Sequence, residues 1–258
     1  MLYHYIFGYG SLICSHSRAV TAPQHADKVA TPVEVHGIER VWSKRSKKLG
    51  MTAMGIRKQE GASTVGVILP VDEADLPKFD QREQGYSRIL IDLDDVDMVP
   101  FLGESYYEND DHRIFWHAKR SNNQSQDHIK IWAYLPNVIT PADPDHPIVQ
   151  SYVDTILRGC LDVGGEAFAK EFIQQTKGWK PEELLEDSSS DEEETFQYNR
   201  SDSMYSSTES VWVDDREDPL YIRGDPSHSR KNASRFDRLL RTYTPETFQE
   251  RIAIQSNE

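Results

Sequence analysis

The sequence predicts an α+β fold. Three observations carry that expectation: about six short stretches patterned as strands, two apolar stripes at helical spacing after His146, and an acidic serine-rich segment that sets the folded part apart from the rest. The first strand is Leu2 to Phe7, short and aromatic. Pro32 to Trp42 follows, with Val33, Val35 and Ile38 alternating against polar neighbours, the period of a half-buried strand. Met51 to Arg57 and Thr64 to Pro70 add two more, and the near-continuous apolar run of the latter places it centrally in a sheet or barrel wall. Arg88 to Leu93 and Ile129 to Tyr134 complete the set.

Helical patterning runs from Asp75 to Glu83 and resumes after His146. Pro147 suits a first helical turn, and Ile148, Tyr152, Ile156 and Cys160 recur every fourth residue behind it. Phe168, Phe172 and Ile173 form a second stripe after Gly164-Gly165, so two helices are expected to pack on the strands. A short basic amphipathic helix is expected over Ser229 to Arg241.

The chain has 258 residues, 37% of them hydrophobic, with a mean hydropathy of −0.67. That is low for a chain packed throughout. Of the formal net charge of −14, −12 falls between Glu182 and Asp218, where 14 acidic and 2 basic residues stand. The stretch with DSSSDEEE and five further serines buries too little apolar surface to offset chain entropy, and it is expected to be disordered. Its serines, Ser188 to Ser190 among them, read as a solvated acidic loop before they read as phosphorylation sites. The expected organisation is one folded domain over 1–180, the acidic insertion over 181–210, and an extension over 211–258 that packs on the domain and ends in the basic helix and a tail.

An acidic chain without a basic patch is a poor nucleic-acid binder. No run approaches the roughly 20 apolar residues of a membrane span. The N-terminus shows no secretory pattern, and two cysteines as far apart as Cys14 and Cys160, with no C-x-x-C spacing, suggest buried thiols in a cytoplasmic protein.

Two short segments carry the chemistry. FGYGSL, Phe7 to Leu12, ends the first strand in a tight turn whose N–H groups are placed to hold an anion. Gly8 and Gly10 would allow left-handed or strained angles and a close approach of ligand to backbone. In FDQREQGYSR, Leu76, Phe79 and Glu83 share one face of the predicted helix. That face aims the Glu83 carboxylate into the core, with Gln81 and Arg82 left pointing outward. Desolvation lifts a buried carboxyl toward neutrality, where a general acid/base works best. A plainer reading pairs Glu83 with Arg88 or Lys78 at the helix end. Gly85 stops the helix and Tyr86 and Arg88 start a strand, so Glu83 stands at a corner where functional groups are often mounted.

With YGSL near the N-terminus, then L-x-x-F-D-x-x-E and a following Gly-Tyr, the chain resembles the gamma-glutamylcyclotransferase superfamily. HPIVQSYVDTILRGCLDVGGEAFAKEFIQQTKGW and VWVDDREDPLYIR resemble one subgroup of it. The likeness spans Tyr5 to Trp179 and Val211 to Arg223. It implies a small mixed β-barrel with packed helices and one essential glutamate, Glu83. It also implies a substrate-binding loop of Tyr9, Gly10, Ser11, Leu12 and Ile13, and release of 5-oxoproline from a small gamma-glutamyl substrate without cofactor or metal. Leu12 stands where other members carry Asn, which is nearer the glutathione-directed members. Gln84-Gly85 and the long C-terminal region depart from those. A gamma-glutamyl amino acid, glutathione and a gamma-glutamylamine all remain open. Tyr134 reads as a strand residue or as a pocket aromatic.

Other chemistries fit less well. The nine histidines lack ligand spacing, with His112 and His117 five apart. Ser11 is not in a G-x-S-x-G elbow, and the turn lacks a third glycine or a Lys-Ser/Thr. The competing class is a non-catalytic binding or stress-response module on the same fold, which would have no need of a buried acid.

Overall fold

A computed structural model describes residues 2–25, 27–108, 110–120, 128–184 and 211–253. In chain order these form β1 (Tyr3–Gly8), α1 (Ser15–Thr21), β2 (Thr31–Ser46), β3 (Met51–Val71), α2 (Leu76–Arg82), β4 (Tyr86–Ile91), β5 (Val96–Asp97), α3 (Glu104–Tyr107), α4 (Asp110–Arg120), β6 (Ile129–Pro136), β7 (Ile148–Val149), α5 (Gln150–Gln175), β8 (Thr176–Lys177), β9 (Trp212–Asp214), α6 (Pro226–Tyr243), α7 (Pro245–Gln249) and β10 (Ile252–Ala253). The fold is α+β, as the patterning predicts. One mixed sheet runs in the order β4-β6-β1-β3-β2-β5 with β8 on β2, and a second runs β10-β9-β7.

β1 lies inside the large sheet, antiparallel to β3 and parallel to β6, which explains its almost unbroken burial. The sheet curls. Tyr86 on β4 donates to the Met54 carbonyl at the start of β3, and Thr140, just past β6, donates its N–H to Ser43 O on β2 at 2.8 Å. A Cβ on Gly55 of β3 would meet the Pro136 ring of β6 at 2.5 Å.

Two strand expectations merge into one element, because Met51–Val71 is a single strand of 21 residues paired along β2. Its middle, Lys58 to Gly61, is exposed and so carries no burial period to read. The helix expected at Pro147 starts later, since Ile148–Val149 pairs with β9 first. α5 then breaks at Gly164 and Gly165 (φ +66 at the latter), separating the two apolar stripes as expected. Fully buried Arg40 ties the second half down through Phe172 O, Thr176 Oγ1 and Val65 O.

The first half of α5 lies against the turn that follows β1. A Cβ on Gly159 would stand 2.5 Å from Cys14 N, so only glycine lets the helix come this close. Gly159→Ala is expected to cost about 1–3 kcal/mol in urea denaturation, since backbone rather than a flexible side chain blocks the methyl. An unchanged midpoint would mean that the helix can back away freely. Cys14 and Cys160 are both free and buried, as their separation implies.

Residues 211–253 are built into the domain. Asp215 takes the N–H and hydroxyl of Ser151 at the start of α5 (2.7 and 2.6 Å), and Arg216 forks onto Asp154 (2.7 and 2.9 Å). Arg216 also pairs with Asp237 of α6. Pro181–Leu184 form a 3-10 turn with Leu184 buried. The remainder of the acidic insertion, 185–210, lies outside the described residues, as do its serines. No helix among the described residues is long and apolar enough to cross a membrane.

Candidate active site

β1 delivers Gly8 to the rim of the sheet, and Ser11–Ile13 turn at once into a 3-10 helix. Ile13 N–H goes to Gly10 O at 2.9 Å. The N–H groups of Ser11 and Leu12 open that turn and have no partner within it. Neither Gly8 nor Gly10 takes a positive φ, so left-handed backbone is not what the glycines supply. They supply proximity. A Cβ on Gly10 would lie 3.1 Å from Met54 Cβ and 3.3 Å from the Tyr152 hydroxyl, and one on Gly8 3.0 Å from Leu12 Cβ. Arg18, buried on α1, holds the turn by donating to Leu12 O and Ile13 O at 3.0 and 2.8 Å.

Glu83 arrives from the other side. α2 ends at Arg82, and Glu83 takes the non-helical angles φ −92, ψ 46 as its C-cap. Helical phase therefore stops one residue short of Glu83. Its side chain still faces inward, 18% exposed. Arg82, expected to point outward, is instead 6% exposed, because it stands three residues after Phe79, still in helical phase, on the side of α2 that meets Ser17 and Thr21 of α1. Its Nε pairs with Glu83 Oε1 at 3.0 Å. Nη1 donates to Ser17 O and Thr21 Oγ1, and Nη2 to Ser11 Oγ and Ser17 Oγ. The plainer pairings for Glu83 are not formed: Lys78 goes to Asp75 and Arg88 to Asp80.

The loop and the glutamate line one cavity with Phe7, Met54, Tyr86, Tyr134 and Tyr152. Of the predicted loop, Tyr9, Gly10, Ser11 and Leu12 line it. Ile13 does not. Its side chain is buried in the core and its N–H is already used. The enclosed space is about 30 Å³, room for little more than a water, and it opens to solvent.

The electrostatics single out one group. Burial raises the Glu83 carboxyl above its ordinary value, against Arg82 and Arg223, which pull it down. Burial, reinforced by the neighbouring phenols and by Glu83, holds Tyr9 and Tyr86 well above the usual phenol range, and it raises Tyr134 and Tyr152 as well. These tyrosines stay protonated at neutral pH and act as fixed donors: Tyr9 to Tyr134 O, Tyr86 to Met54 O at 2.7 Å, and Tyr134 to Asp80 at 2.9 Å. Among the lining residues Glu83 is the one carboxyl, and its proton exchange is moved upward from the ordinary glutamate range by burial.

Sequence reasoning missed the residues that pack behind the lining. Tyr221 sits edge-on to Tyr152 with centroids 4.6 Å apart, and its hydroxyl meets Ser17 Oγ at 2.9 Å. Arg223 Nη1 reaches Thr21 Oγ1 at 3.3 Å. The VWVDDREDPLYIR segment holds both residues, but nothing local shows what they touch, since each meets a partner some 200 residues earlier in the chain. A separate group, His25, Asp72 and Asp75, brings its donor atoms within 4.8 Å of one another. Hydrogen bonds from Gln24, His25 and Lys78 already occupy Asp75, and Lys28 pairs with Asp72.

No family model matches the chain, and no curated protein does. Several solved structures are similar in fold. An uncharacterized protein from Homo sapiens has a TM-score of 0.46 at 14% identity, over 67% of this chain and 87% of its own. A structure described as a gamma-glutamyl cyclotransferase has a TM-score of 0.46 at 13% identity, over 66% and 86%. A yeast cyclotransferase described as specific to glutathione has a TM-score of 0.38 at 15% identity, over 76% and 92%. Likeness at this level assigns no activity. The structural neighbours of this chain include gamma-glutamyl cyclotransferases.

Proposed function

We infer that the chain is a cofactor-independent gamma-glutamyl cyclotransferase, releasing 5-oxoproline from a gamma-glutamyl amide. One observation carries this reading. A mostly buried carboxyl with a raised pKa, Glu83, shares a cavity with the Tyr9–Leu12 turn, as the resemblance of the two motifs implies.

The reaction asks little of a protein beyond shape and proton exchange. The substrate's own α-amine attacks its γ-carbonyl, so nucleophile and electrophile are already in one molecule and need only be held close. The Glu83 carboxylate takes the proton that the attacking amine sheds as the new C–N bond forms. When the tetrahedral adduct collapses, Glu83 returns that proton to the departing nitrogen. The old C–N bond breaks, 5-oxoproline and the free amine leave, and Glu83 is a carboxylate again. The Ser11 and Leu12 N–H groups receive either the glutamyl α-carboxylate or the oxyanion that develops on the γ-carbonyl.

The test is mass spectrometry for 5-oxoproline after incubation with gamma-glutamyl dipeptides, glutathione and gamma-glutamylamines. Product is expected from at least one, and none from any would favour a binding module. For the productive substrate, kcat/KM is expected to rise with pH along an acid limb centred above the ordinary glutamate value of about 4.3. The carboxylate is the working form, and burial keeps the proton on to higher pH. A rate that is flat down to pH 4 would rule out Glu83 as the base.

A further inference from the structure

Thr21 Oγ1 accepts from two guanidinium groups, Arg82 Nη1 at 2.7 Å and Arg223 Nη1 at 3.3 Å. Arg18, on the same helix, lies close enough to feel the Arg82 charge. Three arginines thus gather around α1, in a protein whose net charge is −14. Among the described residues, Glu83 is the sole carboxylate that pairs with any of them. Like charges held this close call for a further anion.

The three differ in what they have left to give. Arg82 is spent: Nε, Nη1 and Nη2 all have partners. Arg18 donates inward, to the carbonyls of the turn. Arg223 has one long bond to Thr21, and among the described residues its Nε and Nη2 have no partner. It is half-buried beside exposed Leu220 and Ile222, it shares Thr21 with Arg82, which in turn pairs with Glu83, and it is near enough to Glu83 to pull that carboxyl's pKa down. A planar guanidinium with two donors to offer matches a carboxylate in bidentate fashion.

We propose that Arg223 binds the carboxylate of the departing amino acid, and that gamma-glutamyl dipeptides are therefore the preferred substrates over gamma-glutamylamines. This rests on the cyclotransferase reading above. The glutamyl head must meet Glu83 and the turn, so the leaving group extends the other way, toward solvent. In a gamma-glutamyl dipeptide its carboxylate lies two bonds from the departing nitrogen. A gamma-glutamylamine has no such group and leaves Arg223 unmatched. Arg223 is a specificity-determining residue on this account, and it takes no part in proton transfer.

The experiment compares gamma-glutamylalanine with gamma-glutamylethylamine, which is the same compound without the carboxylate, using the full chain, R223Q and R223K. The wild type is expected to favour the dipeptide by about ten- to a hundredfold in kcat/KM. Measured above the acid limb, where Glu83 is a carboxylate in the wild type and the variants alike, R223Q is expected to erase that preference by lowering the dipeptide value alone, and R223K to keep part of it. Thermal unfolding of each variant separates this from misfolding, which would lower both substrates together. Equal loss on both substrates, or a preference that survives R223Q, overturns the assignment. Absence of 5-oxoproline from both compounds, and from glutathione, overturns the cyclotransferase reading and this assignment with it.

Discussion

Replacing Glu83 by glutamine is expected to lower 5-oxoproline release by about 10²- to 10⁴-fold while leaving the fold intact. Glutamine keeps the size of the side chain and an oxygen for Arg82 Nε, which lies 3.0 Å from Oε1. What it loses is proton exchange, and the phenols around it cannot substitute, since burial holds their protons on. Stability should move the other way. Folded Glu83 keeps its proton to higher pH than the unfolded chain does, so folding stability falls as pH rises through that window. Glu83→Gln removes this slope, and its thermal midpoint is expected to stay flat across the pH window in which that of the wild type falls. Turnover within tenfold of wild type would sink the mechanism. A collapsed fold would show instead that the carboxylate is structural.

Arg82→Met is expected to act on stability and on pH dependence together. Arg82 joins three things: the turn through Ser11, α1 through Ser17 and Thr21, and Glu83 itself. Removing one partner of a buried charge network costs about 3–5 kcal/mol, because the other is left without its counter-charge. Arg82 is also a cause that pulls the Glu83 carboxyl down, so without it that group holds its proton to still higher pH and the acid limb of kcat/KM moves up. Arg82→Lys separates the two effects. Its charge should return the acid limb toward wild type, whereas its ammonium cannot span the four oxygens on the turn and α1, so most of the stability loss should persist. Chemical denaturation and a pH–rate series read the two quantities. A methionine variant as stable as wild type would mean that the turn is held by Arg18 alone.

The contrast between Glu83 and Arg82 shows what the sequence could and could not reveal. Strand period exposed β1, β2 and β6 because one or both of their faces are buried, and the helical stripes of α5 were legible for the same reason. The middle of β3 was illegible because that arm projects into solvent. At the end of α2 helical spacing rightly turned Leu76 and Phe79 inward, whereas Arg82, expected outward, lies three residues after Phe79 and so on the side that α1 covers. The inner half of the site came from two motifs that each sit on a short stretch of chain. The residues that support it from behind, Ser17, Thr21, Tyr221 and Arg223, are brought together by tertiary packing, which no local pattern encodes.

That long-range assembly also sets when the site can exist. Thr21 and Arg223 are separated by 202 positions, Ser17 and Tyr221 by 204, and Tyr9 and Tyr134 by 125. Contacts of such separation close late, after the entropy of the intervening chain has been overcome. A nascent chain that has already placed Glu83 beside the YGSL turn still lacks the contacts that Tyr221 and Arg223 make with α1 and Tyr152. The support behind the site therefore waits on docking of the segment after β9, and any 5-oxoproline release would report folding that has run to its end.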